Sequence, residues 1–105
     1  VKGSVGAAPT YADALESTIT GKPGERFQYG APSFQIFGEF FKRATGQTIP
    51  EFLQPRLFDP LGIAPSRWRK GRDGNPLIPQ GSWFTAQNWA KFGEFIRLGG
   101  IANGK

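Results

Sequence analysis

The sequence predicts a mainly α-helical fold of three to four short helices, with long loops and at most a short hairpin. Three observations lead there. Thr10–Asp13 and Thr48–Glu51 each place a carboxylate three positions after a hydroxyl residue. That spacing lets a capping side chain satisfy a backbone donor that a helix start leaves unpaired. Apolar residues recur at helical spacing through 34–44 and again through 89–98, the mark of helices with one apolar face. Finally, 15 Gly and 9 Pro punctuate only 105 residues, which keeps the helices short and the connections long.

The elements follow in order. Residues 1–9 are small and Gly-rich, a linker or frayed end. Thr10 caps a first helix that places Tyr11, Leu15 and Ile19 on one face and ends by Gly21. Lys22-Pro-Gly-Glu25 is a turn. Arg26–Tyr29 alternates polar and apolar, so Phe27 and Tyr29 point the same way from an extended segment. Pro32 suits the start of the main helix, where its absent N–H costs nothing.

From Ser33 the apolar stripe is Phe34, Ile36, Phe37, Phe40, Phe41 and Ala44, with Glu39, Lys42 and Arg43 turned away. The stripe predicts the helix on which the rest of the chain packs, stopped by Gly46. A third helix opens at Thr48 and buries Ile49, Phe52, Leu53, Leu57 and Phe58. Pro55 interrupts it, because an interior proline costs about 3 kcal/mol, and Asp59-Pro-Leu-Gly62 ends it. Residues 62–81 form a long irregular stretch with a turn at Asp73-Gly74-Asn75, followed by extended Ser82–Thr85. Thr85 caps a last helix, Ala86 to Leu98, and Gly93 within it is either the seat of a backbone packed alongside or a plain surface glycine. Residues 101–105 are a tail.

Composition narrows the chemistry. Hydrophobic residues make up 38% and charged residues 20%, with ten Phe and three Trp, enough for one small core. There is no Cys and no His. This removes disulfides, thiolate metal sites and a Ser-His-Asp triad built from this chain alone. No metal or cofactor is called for. No apolar run nears the roughly 20 residues of a membrane span. The net charge of +5 comes mostly from scattered residues, with one cluster, Arg67, Arg69, Lys70 and Arg72 around Trp68. Such a cluster can bind a polyanion or be a solvated loop anchored by its Trp. Nucleic acid is not the favoured partner.

No serine has a lysine three residues later, and no Gly-x-Ser-x-Gly is present, so a complete nucleophilic site is absent. Tyr29 has two readings: a core residue with its hydroxyl bonded to backbone, or a proton shuttle if cations lower its pKa from about 10.

Four pieces in order carry a resemblance. They are Pro23-Gly24-x-x-Phe27-x-Tyr29; Phe34-x-Ile36-Phe37-Gly38 leading to Thr45-Gly46-Gln47; Glu51-Phe52-Leu53 through Asp59-Pro60-Leu61-Gly62; and Thr85–Gly93 ending at Gly99-Gly100. Together they resemble the serine β-lactamase-like hydrolases: class C β-lactamases, D-alanyl-D-alanine peptidases, related esterases and aminohexanoate-oligomer hydrolases. The resemblance implies an α+β fold of which residues 10–100 are part of the helical subdomain, with the sheet subdomain as the missing partner. It implies that Tyr29 is the Tyr of the family's Tyr-x-Asn element, a general base or proton relay. The Asn position falls on Ala31, which favours an esterase, amidase or peptidase over a penicillinase. The nucleophile of Ser-x-x-Lys would lie upstream, leaving this chain inactive by itself. Trp68, Trp83 and Phe84 would line a substrate pocket or anchor the core. A surface bared by the missing sheet would favour self-association or domain swapping. Location, by the same resemblance, would be periplasmic or secreted in bacteria. A non-catalytic interaction module with a basic loop is the alternative.

Overall fold

The computed structural model describes residues 8–105; the expected linker over 1–9 lies largely outside that range. It is mostly helical: four helical stretches and one two-stranded antiparallel ladder. The stretches are α1 (Tyr11–Leu15), α2 (Ala31–Thr45), a continuous run from α3 (Ile49–Leu53) to α4 (Asp59–Leu61), and α5 (Ala86–Arg97). Strands β1 (Arg67–Trp68) and β2 (Ser82–Trp83) pair Arg67 with Trp83 and Trp68 with Ser82.

The start of α1 is as the capping signature requires: Asp13 N donates to Thr10 Oγ1 at 3.1 Å, and Thr10 N to Asp13 Oδ2 at 3.3 Å. The helix stops earlier than its apolar spacing suggested. Its buried residues are Tyr11 and Ala14, whereas Leu15 and Ile19 are exposed. The run Ser17-Thr-Ile-Thr20 is β-branched and hydroxyl-rich, and those residues favour leaving a helix over extending it.

The main correction concerns α2. It starts at Ala31 with Pro32 in its first turn and ends at Gly46, whose φ of 75° is the left-handed cap. Its buried residues are Gln35 and Gly38, not the aromatic stripe. Phe34, Ile36, Phe37 and Phe40 are all exposed, Phe40 by 65%. The small and polar face docks because it fits. Gly38 has no side chain, and Tyr11 fills that space: a Cβ there would stand 2.6 Å from the Tyr11 hydroxyl and 2.9 Å from Ile78 Cγ1. Gln35, only 1% exposed, uses both ends of its amide. Its Nε2 donates to Pro9 O at 2.7 Å, and its Oε1 accepts from Ile78 N at 2.9 Å. Lys42, expected to face away, reaches Asn75 Oδ1 at 2.8 Å. At the C-terminal end of the stripe only Phe41 finds cover, edge-on against Phe52 at 5.0 Å.

Pro55 does interrupt its helix, by a specific route. Gln54–Phe58 is a π-helical turn, and the wider i→i+5 loop takes the place of the α-helical contact that the proline ring would foul. The run then closes at Gly62, φ 64°. Phe58 is buried, and Ile49, Phe52, Leu53 and Leu57 are half-buried, so the predicted face holds.

The 62–81 stretch is a hairpin with an excursion in its second arm. Gly71 N donates to Asn75 O at 2.9 Å around the predicted tip. Arg69 accepts from Leu77 N and donates to Gly81 O, so residues 78–80 loop out between two bonds to one residue. Gly81 is forced to be small: a Cβ would lie 2.0 Å from Leu77 O. Thr85 caps α5 by accepting from Asn88 N at 3.1 Å. Gly93 is the surface glycine of the two alternatives: a Cβ there would meet nothing within 4 Å. No residue of α5 is fully buried. The radius of gyration, 15.6 Å, exceeds the about 13 Å of a compact 100-residue domain. Among the described residues, no helix is long and apolar enough to cross a membrane.

Candidate functional site

The chain's two tyrosines occupy opposite environments. Tyr11 is 3% exposed, and its hydroxyl donates to Pro76 O at 3.0 Å. Burial, followed by the nearby Asp73 and Glu39 charges, pushes its pKa to about 12. It is a structural phenol, locked as a donor and costly to ionise.

Tyr29 is 70% exposed. It stands just before α2, on the segment that runs from the Lys22–Glu25 turn, where Gly24 (φ 82°) allows the chain to reverse. Its ring meets Phe34 edge-on at 5.5 Å, which fixes the ring while leaving the hydroxyl free. Among the described residues no group hydrogen-bonds to that hydroxyl. The core reading of Tyr29, with its hydroxyl bonded to backbone, is therefore overturned; Tyr11 has that role instead. The nearest cationic side chain in sequence, Arg26, is occupied with Thr20 O at 3.3 Å.

Two hollows meet at Tyr29. One is lined by Phe27, Phe34 and Phe37, the other by Ser17, Thr18, Thr20 and Ile36; both include Gln28, Tyr29, Gly30 and Ser33. Ala31 opens α2 and borders a third hollow with Thr10, Asp13 and Arg72, which adjoins the second through Ser17 and Pro32. Trp68 and Phe84 share an apolar cleft of about 180 Å³ with Leu53, Phe58, Trp89 and Phe92. That cleft shares no residue with the hollows at Tyr29. Phe84 bridges Phe58 and Trp89, edge-on to each at 5.6 and 5.0 Å. The Trp68 indole donates to Leu77 O at 3.0 Å. Trp83 is exposed and absent from the cleft lining. The five residues singled out by sequence thus fall into three places: Tyr29 and Ala31 at the start of α2, Trp68 and Phe84 in the apolar cleft, and Trp83 outside both.

The basic cluster is not a uniform patch. Arg72 pairs with Asp13 at 3.0 Å, and Trp68 is tied inward. Among the described residues no group of three or more acidic side chains could hold a metal ion.

Sequence reasoning missed Gln35 and Gly38. Their signal was present: with Lys42 they occupy positions 35, 38 and 42, a stripe at helical spacing that lacks any large apolar side chain.

Comparison with known proteins adds three findings. Lovastatin esterase from the fungus Penicillium rubens (strain ATCC 28089 / DSM 1075 / NRRL 1951 / Wisconsin 54-1255) is 45% identical over 47 residues, or 45% of this chain and 12% of that protein. The chain thus spans only a small part of that relative's length. No solved structure matches. The Beta-lactamase family model matches residues 6–89, most of the chain and all of the segment carrying α1, Tyr29 and α2; this chain belongs to the beta-lactamase family.

Proposed function

We propose that the chain is the helical part of a serine hydrolase that acts on an ester or amide through an acyl-enzyme. Tyr29 is its proton-relay group. The nucleophilic serine, its lysine and the sheet are supplied by other segments of a longer parent chain, and these 105 residues alone are inactive. The observation that carries this reading is the exposed, unpartnered Tyr29 hydroxyl in a chain of this family. A phenol held by one edge contact, with its oxygen in the open, can meet groups from another segment. Tyr11, buried and bonded, cannot.

In the step proposed, the serine oxygen attacks the carbonyl carbon as its proton passes to the Tyr29 oxygen, which hands its own hydroxyl proton to the amine of the lysine supplied by the parent. Tyr29 then gives a proton to the departing oxygen or nitrogen as the acyl bond breaks, and takes one back from that lysine. Water releases the acid by the same path. Ala31, where related enzymes have an amide side chain, favours an ester over a β-lactam, and the relative named as an esterase supports that choice. Export to the periplasm or cell exterior is part of the proposal on resemblance alone.

The test is Tyr29→Phe in the full-length parent, assayed with p-nitrophenyl butyrate and a chromogenic cephalosporin. The ester should be the better substrate. The variant should lose about 10²–10⁴-fold in kcat, the usual worth of a positioned acid–base group, with an unchanged unfolding midpoint. Undiminished kcat in Tyr29→Phe, or turnover by the 105-residue chain alone, overturns the proposal.

A further inference from the structure

Tyr29 stands on the divide between two hollows of different chemistry. The hollow of about 300 Å³ is walled by the rings of Phe27, Phe34 and Phe37. Phe27 is 88% exposed, while Phe34 leans on Tyr29 and Phe37 on Phe41. The hollow of about 350 Å³ on the other side is mixed: Ile19, Pro32 and Ile36 line it beside the hydroxyl residues Ser17, Thr18, Thr20 and Ser33 and the amide residue Gln28. Of these groups, Thr20 and Gln28 approach each other at 3.5 Å, a long contact that leaves both able to bond elsewhere. Among the described residues the side chains of Ser17, Thr18 and Ser33 make no hydrogen bond. Each hollow is the size of a small ligand group. Because Gln28, Tyr29, Gly30 and Ser33 border both, one molecule lying across the divide would pass over Tyr29.

We infer that the substrate is an amphiphilic ester, with its apolar acyl group against Phe27 and Phe37 and its hydroxyl-bearing alcohol portion against Thr20, Gln28 and Ser33. This inference rests on the proton-relay role proposed for Tyr29. The arrangement puts the ester bond over the phenol, because that bond joins the apolar and polar halves. Apolar walls reward each added methylene. Paired hydroxyl and amide groups reward an alcohol that can both donate and accept, and penalise one that leaves them unpaired.

The experiment uses the full-length parent and p-nitrophenyl esters from acetate to octanoate. Specificity, read as kcat/KM, should rise by up to about fourfold per methylene until the hollow is filled. The double variant Phe27→Ala/Phe37→Ala should flatten that series. With butyrate esters of glycerol and of propanol, Ser33→Ala should reduce the preference for glycerol by about fivefold, the worth of one hydrogen bond. An unaltered acyl-length series in the Phe variant, or an unaltered alcohol preference in Ser33→Ala, overturns the inference. If Tyr29→Phe still abolishes turnover in that case, the hydrolase reading stands without it. If Tyr29→Phe has no effect, that reading fails first.

Discussion

Adding one methyl group to each of two helices should shift stability in opposite directions. Gly38→Ala in α2 places a Cβ 2.6 Å from the Tyr11 hydroxyl, 2.8 Å from Tyr11 Cζ and 2.9 Å from Ile78 Cγ1. Comfortable carbon contacts need about 3.5–4.0 Å, so Tyr11 or α2 must move by the better part of an ångström. Overpacking of this kind costs about 1–3 kcal/mol. Displacing Tyr11 also endangers its bond to Pro76 O, worth about 1 kcal/mol. Alanine's better helix propensity returns about 1 kcal/mol. The net should be a loss of about 1–3 kcal/mol. Gly93→Ala in α5 meets nothing within 4 Å, so only the propensity gain of about 1 kcal/mol operates. Urea unfolding followed by far-UV circular dichroism at 25 °C measures both. If Gly38→Ala proves as stable as Gly93→Ala, Tyr11 does not fill the space over Gly38, and the docking of α1 on α2 described above is wrong.

Two further outcomes follow from the same geometry. The carboxyls of Asp13 (held down by Thr10, then Arg72) and Glu51 (by Thr48) titrate below their ordinary values of 3.8 and 4.5. Asp73 is also depressed below 3.8: burial opposes this, but the bonds from Asn75, the Tyr11 amide and its own backbone together outweigh it. Their contribution is present above those ordinary values and lost as pH falls through the depressed ones; Tyr11, raised from 10.0 to about 12, gives stability complete below pH 10.0 and lost toward about 12. Unfolding midpoints against pH should fall at both ends, and Tyr11→Phe should remove most of the alkaline fall; a flat profile would contradict both capping boxes and the buried phenol. Separately, the exposed rings of Phe27, Tyr29, Phe34, Phe37 and Phe40 leave on the order of 600 Å² of aromatic surface, at the upper end for a monomer. Sedimentation of the 105-residue chain should show self-association that Phe37→Lys/Phe40→Lys weakens, and a monomer at high concentration would count against a face that needs cover.

The signals that were legible in the sequence are those whose physics is local. Thr10 and Thr85 cap because a side-chain oxygen accepts from an amide three residues on, and at Thr48 the Glu51 carboxylate reaches back to the backbone N–H. Gly46 and Gly62 stop helices because φ must be positive there. The Lys22–Glu25 turn and the tip at Asp73–Asn75 are also short-range. Pro55 announced an interruption, though not the π-turn that absorbs it. What could not be read was which side of α2 is covered. Periodicity shows that an apolar stripe exists; only a partner buries it, and in this chain the partner met Gln35 and Gly38 instead. Gly38 and Gly93 look alike in sequence and differ only in what stands above them. Tyr29 was legible as a candidate through its family motif, while the two hollows that flank it depend on where Ser17–Thr20 comes to rest.

The amide of Gln35 has a consequence for the order of folding. Its two bonds join positions 26 and 43 residues away, while the hydrogen bonds of α2 itself span four. Long closures cost chain entropy before they return anything. Helix α2 can therefore form first as a free rod, and Gln35 then acts as the latch that gathers the segment before α1 and the hairpin's far arm around it. Hydrogen exchange at the Ile78 amide reports that latch, because this one proton is released when the three segments part.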